Sequence, residues 1–175
     1  MRILLRKISD AKHRLEIVRD DGSREAVELA SRSFLIHDFL HYAVETEAGL
    51  KASFWGMLAS GRTLADVHES MAKATDRVAL TRSEAAMTEA VVGALTGVIQ
   101  ERGDAEAAIA GLTNLFQAQE RELPTWLTVT FVERVREQMR RLRGKWRSVP
   151  FGGEMALTFS SATDATSPTA RSRRR

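Results

Sequence analysis

The residues best equipped for chemistry stand within one short apolar stretch, Phe34–Ala48, which holds His37, Asp38, His41 and Glu45. On a helix, at about 100° per residue, setting His37 to zero puts His41 at about 40°, Glu45 at about 80° and Asp38 at about 100°. Four polar groups share one sector. Leu35, Ile36, Phe39, Leu40, Tyr42 and Ala43 spread over the rest of the circle, so the remainder of such a helix calls for burial.

Two imidazoles at i and i+4 can reach one cation with bonds of about 2.0–2.1 Å, and Glu45 one turn further supplies a third ligand in register. A water in the fourth position would be activated for attack on a carbonyl or phosphoryl group. Asp38 would then act as base or would orient the first imidazole. It is one methylene shorter than the glutamate of the zinc-protease pattern, which argues against proteolysis. His68 and Glu69 are further candidate ligands from outside the helix. The chain has no cysteine, so zinc or another divalent metal would rest on His, Asp and Glu alone, and no disulfide or thiolate nucleophile is available. The alternative is a polar stripe in which each imidazole is hydrogen-bonded to a neighbour.

The string His37-Asp38-x-x-His41 resembles the zinc-motif region of the helical scaffold proteins of ubiquinone biosynthesis. The likeness extends over these three residues, since the acidic position twelve residues after the second histidine is here Ser53.

A second chemical feature is basic. Arg136, Arg140, Arg143 and Arg147 fall in one helical row, with Arg134, Arg141 and Lys145 on the other side of an apolar stripe. Such a row can touch phosphates or an anionic surface. It can equally serve a helix C-terminus, where cations are favoured and long stems cover the edge of a core. The net charge of +3 is local in origin: residues 1–123 carry 15 basic against 19 acidic side chains, residues 124–159 carry 7 against 3, and residues 160–175 carry 4 against 1. The Arg-rich end, Arg171-Ser-Arg-Arg-Arg, would make at most a weak, salt-dependent nucleic-acid contact.

The elements that must position these groups are legible in order. Residues 2–29 alternate as a three-strand meander, Arg2–Ile8, His13–Arg19 and Arg24–Leu29, with Asp21-Gly22 as the hairpin turn between the second and third strands. Ser31 or Ser33 is expected to cap the central helix and Gly49 to end it. Lys51–Ser60 reads as a short apolar helix. Thr63-Leu-Ala-Asp66 and Thr81-Arg-Ser-Glu84 read as capping boxes of two further helices, the first with Leu64, Val67, Met71 and Ala74 inside, the second running to Arg102.

In that second helix Ala86, Ala90, Gly93, Ala94 and Gly97 form a smooth ridge, expected to receive a neighbouring helix of the same chain or, less simply, a second copy. Asp104 caps a helix over Ala105–Gln119, and Pro124 suits the first turn of a last helix bearing Leu127, Phe131, Val135, Met139, Leu142 and Trp146. Met155, Leu157 and Phe159 alternate as a strand returning to the sheet.

The expected fold is α+β, a small antiparallel sheet of the N-terminal meander plus a C-terminal strand packed on a bundle of about six helices. It forms one domain over 1–159, followed by a disordered Arg-rich tail over 160–175. No stretch approaches a membrane span and the N-terminal Met-Arg-Ile-Leu-Leu-Arg-Lys-Ile lacks the apolar run of a signal peptide, so a cytoplasmic location is expected. The expected function is a non-catalytic protein-interaction or assembly module with a protein partner or homodimer; the alternative is a divalent-metal-binding domain, extending to a hydrolase. No small-molecule substrate is readable.

Overall fold

The computed structural model describes residues 1–74, 83–99 and 103–160, with the backbone alone for 70–74. The expected helix end at Arg102, Thr81-Arg82 and the tail beyond 160 lie outside the described residues, as do the side chains of Met71 and Ala74. Among the described residues no helix is long and apolar enough to cross a membrane.

The architecture is α+β, as its alternating strands and periodic helices dictate. Strands β1 (Arg2–Lys7), β2 (Lys12–Val18), β3 (Arg24–Ala30) and β4 (Glu154–Thr158) form one antiparallel sheet in the order β3-β2-β1-β4. The returning strand lies on β1, pairing Ile3 with Leu157 and Leu5 with Met155. Ile3, Leu5, Leu15, Ile17, Met155 and Leu157 are buried on one face. Gly22 turns the β2–β3 hairpin at φ 85°, and its N–H donates to the Arg19 carbonyl at 3.0 Å.

Among the described residues six α-helices follow the meander: α1 (Ile36–Ala48), α2 (Phe54–Ala59), α3 (Leu64–Ala74), α4 (Glu84–Ile99), α5 (Ala105–Gln117) and α6 (Val129–Ser148). α1 is central, packed on both α6 and α4, with Phe39, Leu40, Ala43 and Val44 fully buried. Tyr42 ties it to the sheet by donating to the Thr158 carbonyl at 2.9 Å.

Several local expectations are met and others give way. Gly49 ends α1 in the left-handed region, with its N–H on the Glu45 carbonyl. Thr63 and Asp66 exchange bonds at the start of α3, the Asp66 N–H donating to Thr63 Oγ1 at 3.1 Å and the Thr63 N–H to Asp66 Oδ2 at 3.2 Å. Asp104 caps α5.

Neither Ser31 nor Ser33 caps α1. Residues Ser31–Leu35 instead form one wide π-helical turn, because the Ser31 N–H is held by the Ala11 carbonyl at the sheet edge and its hydroxyl faces His13 Nδ1 at 3.2 Å. Pro124 does not start α6. It begins a turn closed by the Leu127 N–H, and Thr128 caps the helix by accepting from the Phe131 N–H at 3.2 Å. The β-branched run Thr128–Val132 thus begins with the cap, where an extended backbone suits it. The small-residue ridge does not receive a helix at its glycines: Gly93 and Gly97 are exposed, and a Cβ on either would meet nothing within 4 Å.

Candidate metal centre

The polar sector of α1 is turned inward. Asp38, His41 and Glu45 are buried, and His37 alone keeps about half of its side chain in water, at 46% exposure. What they meet comes from α2 and α4.

Glu45 is the most constrained member. One carboxylate oxygen lies 3.1 Å from His41 Nδ1; the other accepts from the backbone N–H groups of Trp55 at 2.8 Å and Gly56 at 3.2 Å. It therefore caps α2, a role Ser53 at the cap position leaves open. The chain can pass this close because residue 56 is glycine: a Cβ there would collide with the Lys51 carbonyl. Glu84 of α4 performs a parallel service by accepting from the amides of Lys51 and Ala52. Two carboxylates from different helices thus hold the segment between α1 and α2.

With Nδ1 of His41 donated to Glu45, its Nε2 faces α4. There it lies 3.1 Å from Glu89 Oε1, off the line of an N–H bond, so the contact is an ion pair and not an aligned hydrogen bond. Glu89 Oε2 lies 3.9 Å from His37 Nε2, and the two imidazole rings are 4.6 Å apart. One ligand atom from each of His37, His41 and Glu89 falls within 4.8 Å of the others, a group that could hold a metal ion. Around a tetrahedral ion with bonds of about 2.0–2.1 Å, ligand atoms stand about 3.4 Å apart.

The electrostatics follow from this arrangement. Burial alone would lower the His41 pKa, but the hydrogen bond to Glu45 and the charges of Glu45 and Glu89 outweigh it and push it up to about 9. Burial raises Glu45, opposed by His41 and by the two α2 amides. Burial would also raise Glu89, but the neighbouring imidazoles win and hold it below the usual carboxylate range. Without an ion, His41 is an imidazolium between two acids.

The sequence-derived set of His37, His41 and Glu45 is therefore rearranged around α4. Glu89 stands where Glu45 was expected, since the Glu45 carboxylate is turned to the opposite nitrogen of His41 and into α2. Asp38 lies on the Nδ1 side of His37, at 4.0 Å, with its other oxygen buried and without a hydrogen-bond partner among the described residues. At 4.0 Å it makes no hydrogen bond to the His37 ring. His68 is exposed and packs on Phe54, which also meets the His41 ring. Neither it nor Glu69 belongs to the group.

No signal in the α1 segment could have named Glu89. It lies 48 residues beyond His41, on a helix apolar around most of its circumference, and being the lone acid in Ala85–Ile99 was its only mark. No known protein family, curated protein or solved structure matches this chain.

Proposed function

We propose that the protein binds a divalent cation, zinc foremost, through Nε2 of His37, Nε2 of His41 and the carboxylate of Glu89. The observation that supports this reading is the division of labour on His41. One nitrogen is anchored by a buried carboxylate, and the other is aimed, without an aligned hydrogen bond, at a second imidazole and a second carboxylate. An anchored far nitrogen is what gives a ligating histidine its tautomer and direction. Three protein ligands leave a fourth position for water, and the ion would supply a hydroxide for attack on a carbonyl or phosphoryl group. In this reading Asp38 orients His37 and Glu45 orients His41. Elemental analysis of protein purified without a histidine tag tests it: close to one equivalent of metal is expected, lost in the His37→Ala, His41→Ala double variant. Less than about a tenth of an equivalent in both would end the proposal.

A second reading, a non-catalytic assembly module, is supported by the open faces of Gly93 and Gly97, which leave room for a second copy against α4. Light scattering tests it: a monomer whose mass is unchanged in Gly93→Leu counts against it.

A further inference from the structure

The arginine row of α6 borders a cleft of about 190 Å³, closed on one side by Ile99 at the end of α4 and floored by Met139. Arg136, Arg140, Arg143 and Arg147 line it, while Arg141 and Lys145 lie about 140–180° away around the helix. Over its length α6 carries seven basic side chains against two acidic ones, Glu133 and Glu137.

The two acids are spent locally. Glu133 pairs with Arg136 at 2.5 Å and Glu137 with Arg140. Arg143 and Arg147 have no carboxylate within ion-pair distance among the described residues, and Nε of Arg136 is buried without an acceptor. The acids of α6 itself therefore account for half the row. Among the described residues, then, a buried N–H without an acceptor and two guanidinium groups without a carboxylate border one small cleft, an arrangement suited to an oxyanion.

We propose that this cleft binds a compact oligophosphate, two or three linked phosphate groups, whether free or carried on a nucleoside. A cleft of about 190 Å³ suits such a group and is too little to enclose stacked bases. Planar guanidinium forks match phosphate oxygens in pairs, and the apolar floor of Ile99 and Met139 lowers the local dielectric, strengthening each contact. The exposed carboxylates of Glu133 and Glu137 compete with the ligand for Arg136 and Arg140.

The test is calorimetric titration of the full chain with inorganic triphosphate at about 0.15 M salt, with chelator present so that the histidine cluster holds no ion. One equivalent should bind. Arg143→Ala with Arg147→Ala should weaken binding by about tenfold or more, while Arg141→Ala with Lys145→Ala, removing the same charge from the far face, should stay within about twofold. Glu137→Gln should tighten binding by freeing Arg140, and the His37→Ala, His41→Ala variant should bind as the parent does. A nucleoside triphosphate that binds like inorganic triphosphate indicates recognition of phosphate alone; one that binds more tightly indicates a nucleoside carrier. Absence of binding, equal losses in the two double variants, or tighter binding of a single-stranded oligonucleotide at equal phosphate would overturn the proposal. Circular dichroism of each variant separates a lost site from a lost fold.

Discussion

Glu45 and His41, one helical turn apart and both buried, are bonded so that the carboxylate fixes the imidazole by its Nδ1 at 3.1 Å and leaves Nε2 pointing at α4. This one contact joins the fold to the site. The same carboxylate caps α2, so the element that orients the candidate ligand also seats the neighbouring helix.

Glu45 and Glu89 should therefore separate by variant. Glu45→Ala leaves an imidazolium and two amides buried without their acceptor, and chemical denaturation should show a loss of about 3–5 kcal/mol. Glu89→Ala, whose carboxylate is partly in water at 17% exposure, should cost clearly less stability and yet abolish cation binding. Equal stability losses, or cation binding retained in Glu89→Ala, would contradict these roles.

Cation affinity should rise with pH. A metal and a proton compete for Nε2 of His41, which is protonated up to about pH 9. Between pH 6 and 8 the apparent affinity for zinc should climb by about tenfold per unit, with about one proton released per ion bound. Titrations in buffers of different ionisation enthalpy count that proton. An affinity flat over this range would mean that His41 is not a ligand.

His13 gives stability a different pH dependence. Its ring is fully buried beside Ser31 and Trp146, and burial lowers its pKa below 6.5, a shift opposed by the charge of Asp38. A depressed pKa means that the unfolded chain binds the proton more readily. The contribution of His13 should hold above pH 6.5 and fall as the pH drops below it. His41, whose pKa is raised, acts in the opposite window, losing its contribution as the pH rises toward 9. Denaturation midpoints between pH 5 and 6.5 should slope in the parent and flatten in His13→Asn. A slope unchanged in the variant would remove His13 as the cause.

Gly56→Ala tests the seat of α2. Its Cβ would strike the Lys51 carbonyl, so the backbone must move away from Glu45. A loss of about 1–3 kcal/mol is expected, together with weaker cation binding. A neutral substitution would show that the Glu45 cap is not needed.

The fold was legible where a residue's local chemistry determines its neighbours. Asp21-Gly22 between two alternating runs, Thr63 with Asp66, and Gly49 after the apolar helix each act within a few residues, and each appears where the pattern predicts. The same rule explains the misplacements. Ser31 has a capping side chain, but the β-sheet claims its amide and His13 faces its hydroxyl. Pro124 fits a helix start, but Thr128 offers a side-chain acceptor that proline lacks.

The site was half legible. The spacing of His37 and His41 puts both on one face of α1, but the direction of the Glu45 carboxylate depends on α2. The third ligand-type group comes from α4 through packing alone. Periodicity reports which residues share a helix face; it does not report which neighbouring helix that face meets.

The most direct measurement is anomalous scattering at the zinc edge from crystals of the tag-free protein grown with one equivalent of zinc. A single strong peak is expected within about 2.0–2.2 Å of Nε2 of His37, Nε2 of His41 and an oxygen of Glu89, with Glu45 still on Nδ1 of His41. No peak there, or a peak bound by Glu45, would contradict the proposed site.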